Sequence, residues 1–297
     1  MSTARATTWP GLSRPAAYLA LTKPDVSFLV VMTTFAGYYL GSRGPVDFVR
    51  AAHAVFGTTL IAAGTAALNH YLERDADARM RRTAGRPLPS GQLQPAEALW
   101  FGVALAAAGT LYLGLASGAL ASLLALGTCV SYLALYTPLK TRTTLATLVG
   151  AFPGAMPPLI GWAAARGSLS LEAWILYGIL FLWQFPHFHA IAWIYREDYA
   201  RAGIRMLPVV DRAGDATFRQ ILWTALLLVP MSLLAGVVGL AGIRYYFGAV
   251  VLGLALTQTC LWAARTRTNV RAKWLMHATV LHLPLLLGLM MYDKLAR

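Results

Sequence analysis

Nine stretches of this chain are apolar for long enough to cross a lipid bilayer, and that feature limits the fold more than any other. A crossing takes about 17–25 residues, and runs of this kind cover 26–42, 49–72, 96–115, 118–137, 145–165, 171–194, 220–241, 244–263 and 274–292. A lone span in hydrocarbon must satisfy its own backbone hydrogen bonds, which makes helix the expected form of each. The expectation is an all-α polytopic membrane protein, a bundle of nine transmembrane helices over 26–292. Residues 1–25 read as a cytoplasmic tail with a short interfacial helix, AAYLALTKP, and lack the apolar core and small-residue cleavage site of a signal peptide.

Composition agrees. Only 12% of residues are charged, about half the usual share of a soluble domain. Nine Trp and thirteen Tyr suit interfacial belts. Cys129 and Cys260 both lie inside apolar runs, which argues against a disulfide or a zinc site.

A net charge of +13 could point to nucleic acid or anionic lipid, but its distribution has another cause. With loops alternating across the membrane, nineteen of the 25 Lys and Arg fall on the side of the N-terminus and six on the other. By the positive-inside rule, the N-terminus and long loops are cytoplasmic and the C-terminus is outside, so the site of action is the cytoplasmic (inner) membrane. No nucleic-acid partner is expected.

Two of these cytoplasmic loops also carry acids. The first opens as NHYLERDADARMRRT, from Asn69 to Thr83, where the second span ends. On a helix, Asn69, Glu73 and Asp77 fall within an arc of about 80° and form a stripe of oxygen ligands. Such a stripe suits a hard divalent cation, and Mg²⁺ usually takes one or two carboxylates, keeps waters and shares substrate phosphates. Arg79, Arg82 and Arg86 follow at once, and guanidinium forks match phosphate oxygens. Carboxylates for a metal beside arginines for an anion suggest a diphosphate site. The residues alone leave room for a solvated helix end laced with ion pairs.

The second loop, YREDYARAGIRMLPVV, begins at Tyr195 where the sixth span ends. Glu197 and Asp198 offer oxygens there, and Arg196, Arg201 and Arg205 offer cations. A third piece, Tyr136 and Lys140 at the end of the fourth span, places two donors four residues apart on one helix face.

The Asn-xxx-acid-xxx-Asp stripe, the second acidic loop and the YxxxK element together resemble the UbiA-type intramembrane prenyltransferases. NHYLERDADARMRRTAGRPLPSG, DYARAGIRMLPVV, LTKPDV, PGAMPPLIGW and WQFPHFHAIAW resemble the haem-modifying branch, and the likeness runs from about residue 17 to 292. The resemblance implies a bundle with a central cavity under cytoplasmic cap loops. It also implies a Mg²⁺-dependent reaction: transfer of a farnesyl group from farnesyl diphosphate to a vinyl group of haem B, with addition of water, giving haem O and diphosphate. Haem O, or haem A made from it, serves terminal oxidases, so further partners would be the haem A-forming enzyme or oxidase assembly factors. Membrane lipid is the surrounding solvent.

On this basis the metal ligands are Asn69, Glu73, Asp77 and Asp198. The diphosphate ligands are Arg79, Arg82, Arg86, Tyr136, Lys140 and Arg142, with Lys23 added by the resemblance alone. Arg82 counts as catalytic with the metal set. Trp183, Phe185 and Tyr136 offer aromatic faces to a farnesyl cation. His187 and His189 stand 200° apart on one span, so at most one faces a cavity. The resemblance falls on PHF and assigns His187 to haem, as iron ligand or orienter. An acid/base role for it in vinyl activation is also open, while His53, His70, His277 and His282 read as structural.

The chain departs from the family pattern at Glu73, where Asp is usual, at Ala146 and Arg205, and in lacking a second DxxxD. Other readings are prenylation of a quinone precursor or another tetrapyrrole. A secondary transporter would place its charges at mid-span rather than at span ends.

Overall fold

A computed structural model describes residues 12–295. Among them the chain is helical throughout, with one isolated bridge between Ala241 and Lys294 in place of any strand. The helices are α1 Arg14–Leu21, α2 Pro24–Gly41, α3 Phe48–Arg79, α4 Pro95–Ser117, α5 Ala119–Ser131, a π-helical turn Tyr132–Tyr136, α6 Thr137–Leu139, α7 Ala146–Gly154, α8 Pro157–Arg166, α9 Leu171–Ile194, α10 Arg196–Arg201, α11 Leu207–Val210, α12 Asp215–Val237, α13 Ile243–Thr266 and α14 Asn269–Tyr292.

Eight of the described helical segments are long and apolar enough to cross a membrane. The pair α1 and α2 makes a ninth candidate, bent by 47° at its break. The protein is therefore a multi-pass membrane protein, and the first expected span corresponds to α2, with the interfacial helix as α1. The bend has a local cause. Pro24 cannot donate into α1, and Lys23 before it adopts φ 47°, ψ 65°, the left-handed region that non-glycine residues rarely enter.

The second span is longer than its apolar run. α3 holds 32 residues, about 48 Å at 1.5 Å per residue, so its last turns clear the hydrocarbon and carry the acidic stripe. The fifth span breaks between α7 and α8, where Pro157 and Pro158 follow Pro153 and remove backbone donors.

Consecutive long helices pack on one another from α2 to α5, from α8 to α9 and from α12 to α14; α2 also packs on α8, α9 on α12 and α14, and α14 returns to α2. Small residues allow the closest crossings. A Cβ on Gly37 would stand 2.7 Å from Pro158 Cα, and one on Gly161 would stand 2.7 Å from the Tyr38 nitrogen. Backbones meet directly there, as membrane helices do where side chains are small. The largest core joins α2, α8, α9 and α12–α14, with Trp162, Phe218 and Tyr245 fully buried.

Candidate active site at the cavity mouth

A cavity of about 370 Å³ lies inside the bundle, bounded by α2, α3, α5, α7 and α9. Lys23, Tyr132, Tyr136 and Tyr199 contribute to its polar end, and Val30, Ile61, Ile160 and Leu180 to its apolar walls.

The stripe on α3 meets a different cation at each member. Lys23 Nζ donates to Asn69 Oδ1 at 2.7 Å, and Asn69 Nδ2 donates to Thr137 Oγ1 at 3.4 Å. Lys140 Nζ donates to Glu73 Oε1 at 2.6 Å. Arg86 Nη1 donates to Asp77 Oδ2 at 2.7 Å, while the Asp77 backbone carbonyl accepts from Thr83 Oγ1 at 2.8 Å. The Asp77 side chain is buried, and its Oδ1 has no partner. An unpaired buried carboxylate oxygen costs free energy unless a cation or donor meets it.

Lys140 is buried with the Tyr136 ring centroid 4.4 Å and the Tyr132 centroid 5.8 Å from its nitrogen. Burial alone would discharge it, but the two tyrosines and the Glu73 carboxylate outweigh that and hold its pKa above the ordinary lysine range. The π-helical turn brings the two tyrosine rings within 4.9 Å of each other. Pro138 explains that turn: it lacks the N–H that would bond the Ala134 carbonyl and crowds it, so the helix widens. Gly150 on α7 makes room for Tyr136, since a Cβ there would lie 2.6 Å from its ring carbons.

The second loop folds over the first. Asp198 is buried, accepts from the Arg81 backbone nitrogen at 3.1 Å and pairs with Arg201. Arg79 Nη2 donates to the Ala202 carbonyl at 3.1 Å. The Arg82 guanidinium lies over Tyr195 and Tyr199, 5.1 and 5.0 Å from their centroids, and donates to the Tyr199 hydroxyl at 3.1 Å.

Most expected site residues thus converge. Asn69 with Lys23, Glu73 with Lys140 and Tyr136, and Asp77 with Arg86 form a network of pairs along one face of α3, and Arg82 and Asp198 sit where the two loops meet. Two expected diphosphate ligands lie apart from the network. Arg79 points its guanidinium at the second loop, and Arg142 is exposed with no side-chain partner among the described residues. Glu197 is exposed as well.

Of the aromatic candidates, Tyr136 and Trp183 line the cavity, whereas Phe185 is buried against Phe181 and His189. His187 lies between Trp183 and Ile191, which both line the cavity, stacks on Trp183 and hydrogen-bonds Thr279. His189 turns away to Gln220, with Nε2 3.0 Å from Oε1. His53 pairs with the Tyr112 hydroxyl at 2.6 Å.

Sequence reasoning missed Tyr132, Thr137, Thr83 and Gln184. The YTP step around Thr137 was the signal for the first two, because a proline inside a helical run marks a distorted turn. Thr83 and Gln184 left no local mark.

Among the described residues no three His, Cys, Asp or Glu side chains come together as a metal cluster. A hard cation that leans on one or two carboxylates and on substrate phosphates does not require one. The oxygen-only stripe and the unpartnered Asp77 Oδ1 fit Mg²⁺ in that manner.

A family model described as the UbiA prenyltransferase family matches residues 30–282. The chain belongs to the UbiA prenyltransferase family. It is 50% identical over 286 residues to the protoheme IX farnesyltransferase of Solibacter usitatus (strain Ellin6076), covering 93% of this chain and 98% of that protein. In fold it is similar to a digeranylgeranylglyceryl phosphate synthase, with TM-score 0.78 and 16% identity over 95% of this chain and 99% of the other. It is also similar to a UbiA homolog from Archaeoglobus fulgidus bound to GPP and Mg²⁺, with TM-score 0.64 and 14% identity over 92% and 99%. The all-helical fold and the prenyltransferase assignment expected from the sequence are thereby established.

Proposed function

We propose that this member of the family transfers the farnesyl group of farnesyl diphosphate to a vinyl group of haem B, giving haem O and diphosphate. The observation that carries this reading is the pairing of Asn69, Glu73 and Asp77 with Lys23, Lys140 and Arg86, next to an apolar cavity that Lys23 and Tyr136, the neighbour of Lys140, help to line. The haem acceptor is supported by the name of the protein with which this chain shares half its residues, and the metal by the Mg²⁺ bound with GPP in the Archaeoglobus fulgidus fold relative.

Breaking an allylic C–O bond leaves a carbocation and a diphosphate, so catalysis consists mainly of stabilising negative charge on the leaving group. Mg²⁺, held by Glu73 and Asp77 beside Asn69, with Asp198 on the second loop as a further candidate ligand, would supply Lewis-acid stabilisation of the departing phosphate oxygens. Lys23, Lys140 and Arg86 already face the stripe and are the cations best placed to donate to those oxygens. Arg82, fixed between two tyrosine rings, adds a preorganised fork at the loop junction. Tyr136 and Trp183 present π-faces to the farnesyl cation, and the apolar wall holds its chain away from water. His187, beside the wall lined by Trp183, serves the haem end. The excess of Lys and Arg on one set of loops orients the cavity mouth to the cytoplasm.

Purified protein incubated with haem B, farnesyl diphosphate and Mg²⁺ is expected to yield farnesylated haem by mass analysis. Prenylation of a quinone precursor with haem left untouched would refute the acceptor assignment.

A further inference from the structure

Adding a farnesyl cation to a vinyl group does not finish the reaction. The vinyl π pair forms the new C–C bond, which leaves a cation on the vinyl carbon next to the porphyrin ring. That cation either takes up water to give the hydroxyl of haem O or loses a proton to give an alkene. The enzyme must therefore hold one water molecule in an otherwise dry cavity.

Two side chains on α9 offer free acceptor atoms for this. Gln184 lines the cavity and is buried. Its amide donates to the Ala151 carbonyl at 2.9 Å. A carbonyl can only accept, so the nitrogen must face it and Oε1 is left as a free acceptor. The space for this amide is made by Gly154, since a Cβ there would collide with Gln184 Oε1.

His187 follows one turn later. Its Nδ1 lies 2.8 Å from Thr279 Oγ1. The Thr279 hydroxyl spends its own proton on the Met276 carbonyl at 2.6 Å, so toward His187 it accepts. Nδ1 therefore carries the proton, and Nε2 is a bare lone pair with no hydrogen-bond partner among the described residues. Residues three apart on a helix are surface neighbours, with Cβ atoms about 5–6 Å apart. His187 is not itself a lining residue but sits on α9 between the lining residues Trp183 and Ile191, and a water bridging Oε1 and Nε2 is the arrangement inferred from that placement.

We propose that Gln184 and His187 hold the water that ends the reaction, with His187 as its base. Gln184 Oε1 accepts a hydrogen bond from one water O–H, which stays on the product hydroxyl, and orients the oxygen lone pair toward the vinyl-derived cation. As the C–O bond forms, the other proton passes to His187 Nε2, and Thr279 stabilises the resulting imidazolium. The imidazolium later returns the proton to solvent or to the departing diphosphate. His187 is thereby a base and not an iron ligand. This assignment rests on the haem-farnesylating reading above.

The test is the ratio of hydroxylated to dehydrated farnesyl-haem, which differ by the mass of one water. Gln184→Met and His187→Gln are expected to lower the yield of hydroxylated product about 10²-fold while dehydrated product appears. Gln184→Glu, whose carboxylic acid form donates to the Ala151 carbonyl and keeps the other oxygen as an acceptor, retains hydration, and the absorption spectrum of bound haem B is unchanged in His187→Gln. An unchanged product ratio in Gln184→Met and His187→Gln overturns the proposal. So does a parallel fall of both products in Gln184→Met and Gln184→Glu, which would mark a packing role. A shifted haem spectrum in His187→Gln with hydration retained would assign the imidazole to iron instead. If the wild-type protein forms no farnesylated haem of either mass, the reaction assignment itself falls.

Discussion

Asp77→Asn changes one charge and almost no volume, and it separates what the carboxylate does for folding from what it does for chemistry. In the wild type, Asp77 Oδ2 accepts from Arg86 Nη1 at 2.7 Å, with the side chains 1% and 24% exposed respectively. A hydrogen bond between charged groups is worth about 1.5–3 kcal/mol, and breaking a fully buried pair costs about 3–5 kcal/mol. Arg86 can regain some water, so the expected loss of stability is about 1.5–3 kcal/mol. Arg86→Gln should lose a similar amount, and the double variant little more, because both remove the same bond. Turnover should behave differently. An asparagine oxygen facing Arg86 turns its NH₂ to the place where Asp77 Oδ1 is now unpartnered, and that presents a donor to a cation. Turnover in Asp77→Asn should fall by about 10²–10³-fold or more, well beyond the fall in Arg86→Gln. Unfolding in detergent measures the first effect, and farnesyl-haem formation at saturating substrates the second. Turnover within about threefold of wild type in Asp77→Asn, or equal losses in both single variants, would refute a metal-facing role.

Other perturbations probe the rest of the site. Lys140→Met leaves Glu73 as a buried carboxylate without its cation, and is expected to lower stability by about 3 kcal/mol and turnover by about 10²-fold. Arg142→Ala, at an exposed position, should leave turnover unchanged, whereas Arg79→Ala should loosen the loop pairing with Ala202 and speed limited proteolysis of residues 196–206. Gly161→Ala pushes a Cβ into the Thr34 carbonyl across α2 and α8, and should cost about 1–3 kcal/mol or more in detergent unfolding. Removal of divalent metal with a chelator should abolish prenyl transfer, restored by Mg²⁺, while haem B still binds by its absorption spectrum.

The bundle was legible because lipid imposes a simple rule. An apolar run must be helical, so the order of the spans could be read directly and their number to within one. The stripe was legible for a similar reason: Asn69, Glu73 and Asp77 share one helix, and helical phase fixes their relative angle without knowledge of any neighbour. What phase cannot give is which neighbour a side chain meets. Arg79 is two residues from Asp77 in sequence, yet its guanidinium caps the Ala202 carbonyl. Lys23 is 46 residues from Asn69 and bonds it, through a left-handed backbone step that no pattern of residue types announces. Thr137, Thr83 and Gln184 act through the same kind of long-range or cross-segment contact.

That limit says something about the site itself. Each member of the stripe is bonded to a cation from a different segment: Lys23 from the α1–α2 break, Lys140 from the end of α6 and Arg86 from the loop after α3. Asp198 adds the second loop through the Arg81 backbone. The groups assigned to the substrate's charge are therefore also the bonds that join the ends of the helices around the cavity mouth. A ligand bringing both a divalent cation and a diphosphate would exchange partners within this network: carboxylates would turn to the cation, and lysines and Arg86 to phosphate. Neither half of the ligand alone offers partners to both sets, since metal without diphosphate leaves the cations unpaired and diphosphate without metal leaves the carboxylates unpaired. Binding of the two should be mutually dependent, which is the linkage expected when two ligands share one set of internal ion pairs.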